Sequence, residues 1–116
     1  MLKSRLNSFK YAFAGLKTAA QDQPNFLIHC LVGSVVIFAG SYFNISQLDW
    51  LILALTIGLV ITVELTNTAI EEIVNSFTDQ VHPAAKKAKD VAAAAVLVSS
   101  ITAVIIGLVI FLPYLY

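Results

Sequence analysis

The 116-residue chain has few charged side chains, since only 12% of its residues are Asp, Glu, Lys or Arg. A soluble globular domain has roughly 25% charged residues, whereas 59% of this chain is hydrophobic. So few polar side chains cannot cover a surface in contact with water. The composition therefore excludes an ordinary soluble domain and indicates an integral membrane protein, as does the mean hydropathy of +0.84.

The chain has one cysteine and lacks two common glycine-rich motifs that bind nucleotides. The single cysteine, Cys30, excludes an internal disulfide, and we interpret it as a small apolar packing residue. The sequence contains neither the GxxxxGK[ST] loop of P-loop enzymes nor the GxGxxG loop of protein kinases. Any nucleotide site in this chain therefore belongs to neither of those soluble folds.

Positive charge is absent from two of the segments that flank the apolar runs. Segments 46–50 and 113–116 contain no Lys or Arg. The cations lie before the first apolar run and between the second and third runs: Lys3, Arg5, Lys10, Lys17, Lys86, Lys87 and Lys89. Because loops rich in Lys and Arg stay in the cytoplasm, we predict a cytoplasmic N-terminus and an external C-terminus. That orientation requires an odd number of spans, and three spans fit.

The apolar pattern predicts an all-α integral membrane protein, with residues 1–116 forming a single domain. In residues 2–20, apolar side chains recur at spacings of three and four, which favours an amphipathic helix lying on the cytoplasmic leaflet rather than a signal peptide. We expect Pro113 to stop the last membrane helix. The second membrane helix should be about 40 Å long and project beyond a hydrocarbon core of roughly 30 Å. The predicted membrane helices are 26–43, 48–74 and 91–112.

The second predicted membrane helix carries polar side chains on one face of its inner half. At about 100° per residue, five side chains fall within roughly 100° of arc, and we call them the polar stripe: Glu64, Asn67, Thr68, Glu71 and Asn75. Glu72 lies at the edge of this arc. A carboxylate in mid-membrane costs about 2.5–3.5 kcal/mol on insertion scales. The polar stripe should therefore face a cavity or partner groups rather than lipid.

The two carboxylates of the polar stripe are predicted to have separate roles. Glu64 and Glu71 lie about 10 Å apart along the helix axis, too far to share a proton. The deeper Glu64 is suited to accept a proton from a hydroxyl at headgroup level. The shallower Glu71 is suited to bind Mg²⁺, which proteins hold through one or two carboxylates plus phosphates. The lysines of the loop 86–89, with Asp90 beside them, are candidate phosphate partners, although they also satisfy the positive-inside bias.

Three classes of function fit this pattern of membrane carboxylates. A phosphotransferase would use Glu64 as a base and Glu71 as a metal ligand. A small proton- or ion-coupled transporter subunit would show flux that depends on Glu64 and would consume no ATP. A non-catalytic oligomer or scaffold would tolerate Gln at both positions, but the three-span chain offers no cation at the matching depth to pair with the carboxylates.

Three segments resemble motifs of one protein family, the prokaryotic diacylglycerol kinases, which include the undecaprenol kinases. Residues 64–71 (ELTNTAIE) resemble the family signature E-x-x-N-[ST]-A-x-E. Residues 88–96 (AKDVAAAAV) are similar to the Ala-Lys-Asp segment that opens the family's third membrane helix. Residues 25–29 (NFLIH) resemble an NFRIH segment of the undecaprenol kinase branch. The resemblance covers essentially the whole chain, in matching order and spacing.

The resemblance implies an ATP- and Mg²⁺-dependent lipid kinase that is a homotrimer in the bacterial cytoplasmic membrane, with no nucleic-acid partner. The acceptor it implies is a lipid alcohol, with undecaprenol favoured by the segment 25–29 and diacylglycerol next. By position, Glu64 matches the general base and Asn67 the asparagine that supports it. Glu71 matches the ligand of the metal on the ATP phosphates. The positions that match nucleotide contacts are Tyr11, Gln80, His82, Lys89 and Asp90.

Two departures from the family pattern bear on metal binding. The family's second metal-binding carboxylate falls at Gln23, next to Asp22, and the aspartate that closes the family signature is Asn75 here. Leu27 also replaces the usual arginine. Because an amide is a weaker Mg²⁺ ligand than a carboxylate, metal–ATP affinity should fall unless Asp22 substitutes. The chain is either an active kinase with a shifted ligand, which we favour because Glu64 and the other matched positions are retained, or a weakened or regulatory member.

Overall fold

The structure is a computed structural model that describes residues 1–77 and 82–116. The described residues form four helices and no strand, so the predicted all-α class is confirmed. Three of the helices, α2 to α4, are long and apolar enough to cross a membrane. The helices are α1 (Leu2–Asp22), α2 (Pro24–Phe43), α3 (Gln47–Phe77) and α4 (Pro83–Leu115).

Helix α1 is the amphipathic helix expected at the N-terminal end. Its apolar face stays open, since Leu6, Phe9 and Phe13 are 60%, 65% and 68% exposed. Ala19, near the C-terminal end, is its buried residue, and α1 contacts both α2 and α3. An exposed apolar face flanked by Lys and Arg is the pattern of a helix in the membrane interface.

A sharp corner at Gln23 separates α1 from α2. Gln23 has extended backbone angles, φ −120° and ψ 100°, and Pro24 occupies the first position of α2. The residue before a proline is disfavoured in the helical region, while proline itself suits the first helical turn. Helix α2 therefore begins at Pro24, two residues before the predicted start at position 26.

The turn between α2 and α3 brings the C-terminal end of α2 into close contact with the N-terminal end of α3. Asn44 ends α2 in the left-handed region, at φ 52° and ψ 53°, which Asn tolerates better than most residues. Gly40 lies so close to Trp50 that an added Cβ would be 2.7 Å from the ring. Ile45 in the turn is buried in a small core with Leu53 and Ile110. A glycine is therefore needed at position 40 for this approach.

Helix α4 is longer than the predicted span 91–112, and two predictions about it are wrong. The lysines at 86–89 and Asp90 lie on its first turns and not in a loop, because Pro83 occupies the first helical position and His82 caps it. Pro113 lies inside the helix and does not stop it. A proline removes one backbone hydrogen bond, and near a helix end this loss does not prevent the last turn from forming.

The main packing of the described residues is between α3 and α4. The buried residues of α4 include two small ones, Ala92 and Ser99. Small residues let membrane helices approach closely. Helix α4 has 33 residues, or about 50 Å, so it is longer than a hydrocarbon core of roughly 30 Å is thick. A hydrogen bond from Lys89 to Asn75 joins its basic first turns to the C-terminal end of α3.

Candidate active site

Glu64 is the buried carboxylate at the centre of the candidate site. It lies on α3 and is only 2% exposed. Its Oε2 atom lies 3.5 Å from Nε2 of His29, on the first turns of α2. This is ion-pair distance and not hydrogen-bond geometry, and Oε2 has no hydrogen-bond partner among the described residues. The carboxylate is therefore shielded from water and has one acceptor atom free.

Asn67 lies between the two carboxylates along the polar stripe and contacts one of them. Its Nδ2 atom donates to Oε1 of Glu71 over 3.4 Å, a long contact within one helical turn. Its Oδ1 atom is buried and has no hydrogen-bond partner in the described part of the chain. A buried carbonyl oxygen of this kind is costly unless something binds to it. Asn67 thus holds Glu71 with one end and leaves an acceptor atom available at the other.

Exposure increases along the polar stripe from one end to the other. Glu64 is buried, Asn67, Thr68 and Glu71 are half-buried, and Asn75 is exposed. Since α3 is continuous over this region, the stripe runs from a buried end to an exposed end.

Lys89 connects α4 with the exposed end of the polar stripe. Its Nζ atom donates to Oδ1 of Asn75 over 3.1 Å. A cation therefore lies beside the water-accessible end of the stripe, where an anionic ligand would find it. The sequence pattern did not predict this contact, because it joins two helices.

Asp90, the residue after Lys89, pairs with Lys86 on the same helix. Lys86 donates to Oδ2 of Asp90 over 2.6 Å, and both side chains are exposed. The hydrogen bond and the charge of Asp90 raise the pKa of Lys86, which precedes the apolar part of α4. Asp90 is therefore paired with a neighbouring lysine and makes no hydrogen bond with the described residues of the stripe.

The other predicted site residues that the structure describes, Tyr11, Gln23 and His82, form no side-chain hydrogen bond with the polar stripe. Tyr11 is 71% exposed on α1, and Gln23 is half-buried at the corner between α1 and α2. His82 accepts a hydrogen bond from the backbone N–H of Ala84 through Nδ1, at 3.2 Å, and so caps α4. Gln80 lies outside the described residues.

Glu71 and Gln23, the predicted metal ligands, carry oxygen atoms of the kind that bind magnesium. Among residues 1–77 and 82–116 there is no cluster of three or more His, Cys, Asp or Glu side chains that could hold a metal. The carboxylate of Glu71 and the amide of Gln23 are both hard oxygen donors, and the structure records no contact between the two side chains. Mg²⁺ suits such oxygens and is often bound through one or two carboxylates plus phosphates.

An apolar cleft of about 470 Å³ lies between α2, α3 and α4. Its walls include Val60 and Ile61, about one turn before Glu64, and the side chain of His29. His29 therefore borders both the cleft and the buried carboxylate, although Glu64 itself does not line the cleft. Small residues that line it include Gly33, Ser100, Ala103 and Gly107.

A second cleft, of about 710 Å³, lies between the C-terminal half of α3 and the N-terminal turns of α4. It is lined by Ile70 and Lys87 among others, and no residue of the polar stripe lines it. Lys87 and Lys89 are two residues apart on one helix and so point to different sides. We assign the chemistry to the stripe, because that is where the buried acceptors and the interhelical lysine contact lie.

The contact between His29 and Glu64 is the feature that sequence reasoning missed. A histidine in the first turns of a membrane helix is usually a polar residue at the interface, and the sequence alone favours that interpretation. The two residues lie on different helices, so no local spacing relates them. The resemblance of residues 25–29 to a family segment drew attention to His29 but did not indicate that it contacts Glu64.

Known proteins resemble this chain over most of its length. The family model described as prokaryotic diacylglycerol kinase matches residues 10–111. The chain is 44% identical over 108 residues to the undecaprenol kinase of Bacillus subtilis, a match that covers 93% of this chain and 88% of that protein. It is 46% identical over 109 residues to a diacylglycerol kinase of Synechocystis, covering 93% of this chain and 62% of the relative. With a diacylglycerol kinase of Helicobacter pylori it shares 37% identity over 91 residues, covering 78% and 71%.

Proposed function

This chain belongs to the prokaryotic diacylglycerol kinase family and is a membrane lipid kinase, and we propose that it transfers the γ-phosphoryl group of ATP directly to a lipid alcohol. The observation that carries the proposal is Glu64, a carboxylate only 2% exposed on a membrane helix. Ionisable groups inside a membrane are expensive and mark functional sites. The apolar cleft that reaches His29 supports a lipid as the acceptor.

Glu64 is the proposed general base. Its carboxylate accepts the proton of the lipid hydroxyl while the hydroxyl oxygen attacks the γ-phosphorus. The bond from the γ-phosphorus to the bridging oxygen then breaks and ADP leaves, so no covalent enzyme intermediate is required. Asn67, one turn away, is the proposed residue that supports the base, and its buried Oδ1 atom has no hydrogen-bond partner among the described residues.

The exposed end of the polar stripe is the proposed position of the ATP phosphates. Lys89 brings a cation to this end through its contact with Asn75. Lysine binds phosphate as a point charge, and phosphoryl transfer depends mainly on positioning and charge neutralisation. Further nucleotide contacts, which we carry over from the family resemblance, are proposed for Tyr11, Gln80, His82 and Asp90.

Glu71 and Gln23 are the proposed protein ligands of Mg²⁺. The ion, when bound with ATP, would neutralise charge on the phosphates during transfer. Asn67 orients the Glu71 carboxylate through the 3.4 Å hydrogen bond from its amide. With the base, this orienting residue and Lys89 all present, we propose an active kinase. The amide at position 23 lowers its metal–ATP affinity unless Asp22 serves as a shifted ligand.

Undecaprenol is the proposed acceptor, with diacylglycerol second. The supporting facts are the segment 25–29 and the 44% identity to a protein named undecaprenol kinase over 88% of that protein's length. We propose that the chain works as a homotrimer in the bacterial cytoplasmic membrane. The N-terminus and the polar stripe would face the cytoplasm, where ATP is available and where the lysines of α4 belong by the positive-inside bias.

Phosphoryl transfer by purified protein tests the proposal. The protein in detergent is incubated with γ-³²P-ATP and Mg²⁺, with undecaprenol or diacylglycerol side by side, and labelled lipid is counted. We expect transfer by the wild type and a loss of roughly 10²-fold or more in kcat for Glu64→Gln, as for removal of a general base. Glu72→Gln, at the edge of the stripe, is the matched control. Turnover retained in Glu64→Gln would refute the assignment of the base.

A further inference from the structure

A buried general base must return its proton to water before it can act again. Glu64 is 2% exposed, so direct loss of its proton to bulk water is hindered after each transfer. Asn67 and Thr68, its polar neighbours on α3, do not titrate. The Oγ1 atom of Thr68 donates to the backbone carbonyl of Glu64 and not to its carboxylate. The site therefore needs a titratable neighbour that reaches both the carboxylate and water.

His29 has the required position. Its Nε2 atom lies 3.5 Å from Oε2 of Glu64, and its side chain is 23% exposed while that of Glu64 is 2% exposed. Oε2 has no hydrogen-bond partner in residues 1–77 and 82–116, so the atom nearest to His29 is free to carry a proton. A contraction of a few tenths of an ångström would give a hydrogen bond, and catalytic contacts commonly tighten when substrate binds.

The other elements packed around α3 bring no rival proton acceptor to this point. The buried residue of α1 is Ala19, and its charged side chains are exposed. On α4 the buried residues are Ala92, Ser99 and Ile110, and Lys89 contacts Asn75 at the far end of the stripe. On α2, Cys30 follows His29 and forms no bond to Glu64. Glu71, about two turns further along α3, accepts from Asn67.

We infer that His29 is the proton-relay partner of Glu64, an inference that rests on the proposed function of Glu64 as the base. After transfer, the O–H bond of the Glu64 carboxylic acid breaks and an N–H bond forms at Nε2 of neutral His29. The imidazolium then releases one proton to water, which restores the neutral ring and leaves Glu64 ionised. One proton leaves the lipid hydroxyl and one reaches water in each cycle, and nothing is oxidised or reduced.

A purely structural His29 makes different predictions from a relay. If the ring only holds Glu64 in place, its loss slows the first phosphoryl transfer as much as later ones. If the ring removes the proton, the first transfer is fast and every later transfer waits for Glu64 to be regenerated. A small base added to the buffer would then replace the missing ring, because His29 lines the cleft of about 470 Å³ and its removal enlarges that space.

The experiment compares His29→Ala and His29→Gln with Cys30→Ala, the neighbouring residue on α2, in rapid-quench and steady-state assays. We expect a burst of about one labelled lipid per active site in both His29 variants, followed by a steady-state rate roughly 10²-fold below wild type. Imidazole should restore the rate of His29→Ala in proportion to its concentration, while Cys30→Ala follows the wild type. Size-exclusion elution and thermal unfolding verify that each variant is folded.

Three results would overturn the relay. They are an unchanged steady-state rate in both His29 variants, a loss of rate without a burst, and a loss that imidazole does not restore. These results are distinct from failure of the proposed function, which would appear as a wild type that makes no labelled lipid or as an active Glu64→Gln. A wild type that transfers phosphate, an inactive Glu64→Gln and a fully active His29→Gln would remove the relay alone.

Discussion

Lys89 on α4 donates a hydrogen bond of 3.1 Å to Asn75 on α3, and this contact carries a positive charge to the water-accessible end of the polar stripe. An amide oxygen accepts the bond, so the ammonium charge is not neutralised. A carboxylate at position 75 would pair with Lys89 and compete with a phosphate group for it. The exchange of the family's aspartate for Asn75 therefore leaves Lys89 available to an anionic ligand.

Lys89→Met should weaken ATP binding. A hydrogen bond to a charged group contributes about 1.5–3 kcal/mol, so we expect KM for ATP to rise roughly tenfold or more, with a smaller change in kcat. Steady-state assays at varied ATP and saturating lipid measure both constants. Lys87→Met is the matched control, because Lys87 lies two residues away and lines the other cleft. An equal effect of the two substitutions would show that the lysines act only through general positive charge.

Gln23→Glu should strengthen the binding of metal-bound ATP. It adds a carboxylate where the chain has an amide, and a carboxylate is the better ligand for Mg²⁺. We expect the Mg²⁺ concentration that gives half-maximal activity, and KM for MgATP, to fall severalfold. Asp22→Asn is the companion variant, since a strong loss in it would mean that Asp22 is the shifted ligand. An unchanged KM in Gln23→Glu points to Asp22 or to a site with one protein carboxylate, and an active Asp22→Asn then leaves Glu71 as that carboxylate.

Gly107→Leu should lower the affinity for the lipid and leave that for ATP unchanged. Gly107 lines the apolar cleft, and a Cβ added there meets no atom within 4 Å. The larger side chain therefore fills the space proposed for the lipid without forcing the helices apart. Gly58→Leu is the control, because Gly58 also has nothing within 4 Å but does not line the cleft. Similar KM values for lipid in the two variants would show that the cleft is not the lipid site.

Gly40→Ala should destabilise the contact between α2 and α3. The added Cβ would lie 2.7 Å from one atom and 3.0 Å from another atom of the Trp50 ring, so the ring must move. Overpacking of this kind costs about 1–3 kcal/mol. Thermal unfolding in detergent should show a lower midpoint for Gly40→Ala and no decrease for Gly58→Ala, where space is open. An unchanged midpoint at position 40 would mean that Trp50 can adopt another rotamer without loss.

Hydropathy and helical periodicity predicted the fold because both depend on local sequence. The four helices appear where the patterns place them, and the polar stripe follows from the angle of about 100° per residue. The start of α4 was missed although its signal was present, since His82 and Pro83 form a capping residue followed by a first-turn proline. The sequence pattern did not predict that α4 continues through Pro113, because the effect of a proline on a helix depends on how close it lies to the helix end.

The two contacts that define the candidate site could not be predicted from the sequence. His29 and Glu64 lie on α2 and α3, while Asn75 and Lys89 lie on α3 and α4. Which helix faces meet depends on the crossing of whole helices, and a spacing rule within one helix contains no information about it. The sequence therefore predicted the chemical groups of the site and left their partners open.

The increase in exposure from Glu64 to Asn75 has a consequence for where the two substrates meet. ATP dissolves in water and the proposed acceptor dissolves in the bilayer, so neither can enter the other's solvent at low cost. A stripe that is dry at one end and wet at the other lets each substrate remain in its own phase. In the proposed reaction, transfer would take place at the phase boundary itself, and only the phosphoryl group would need to cross it.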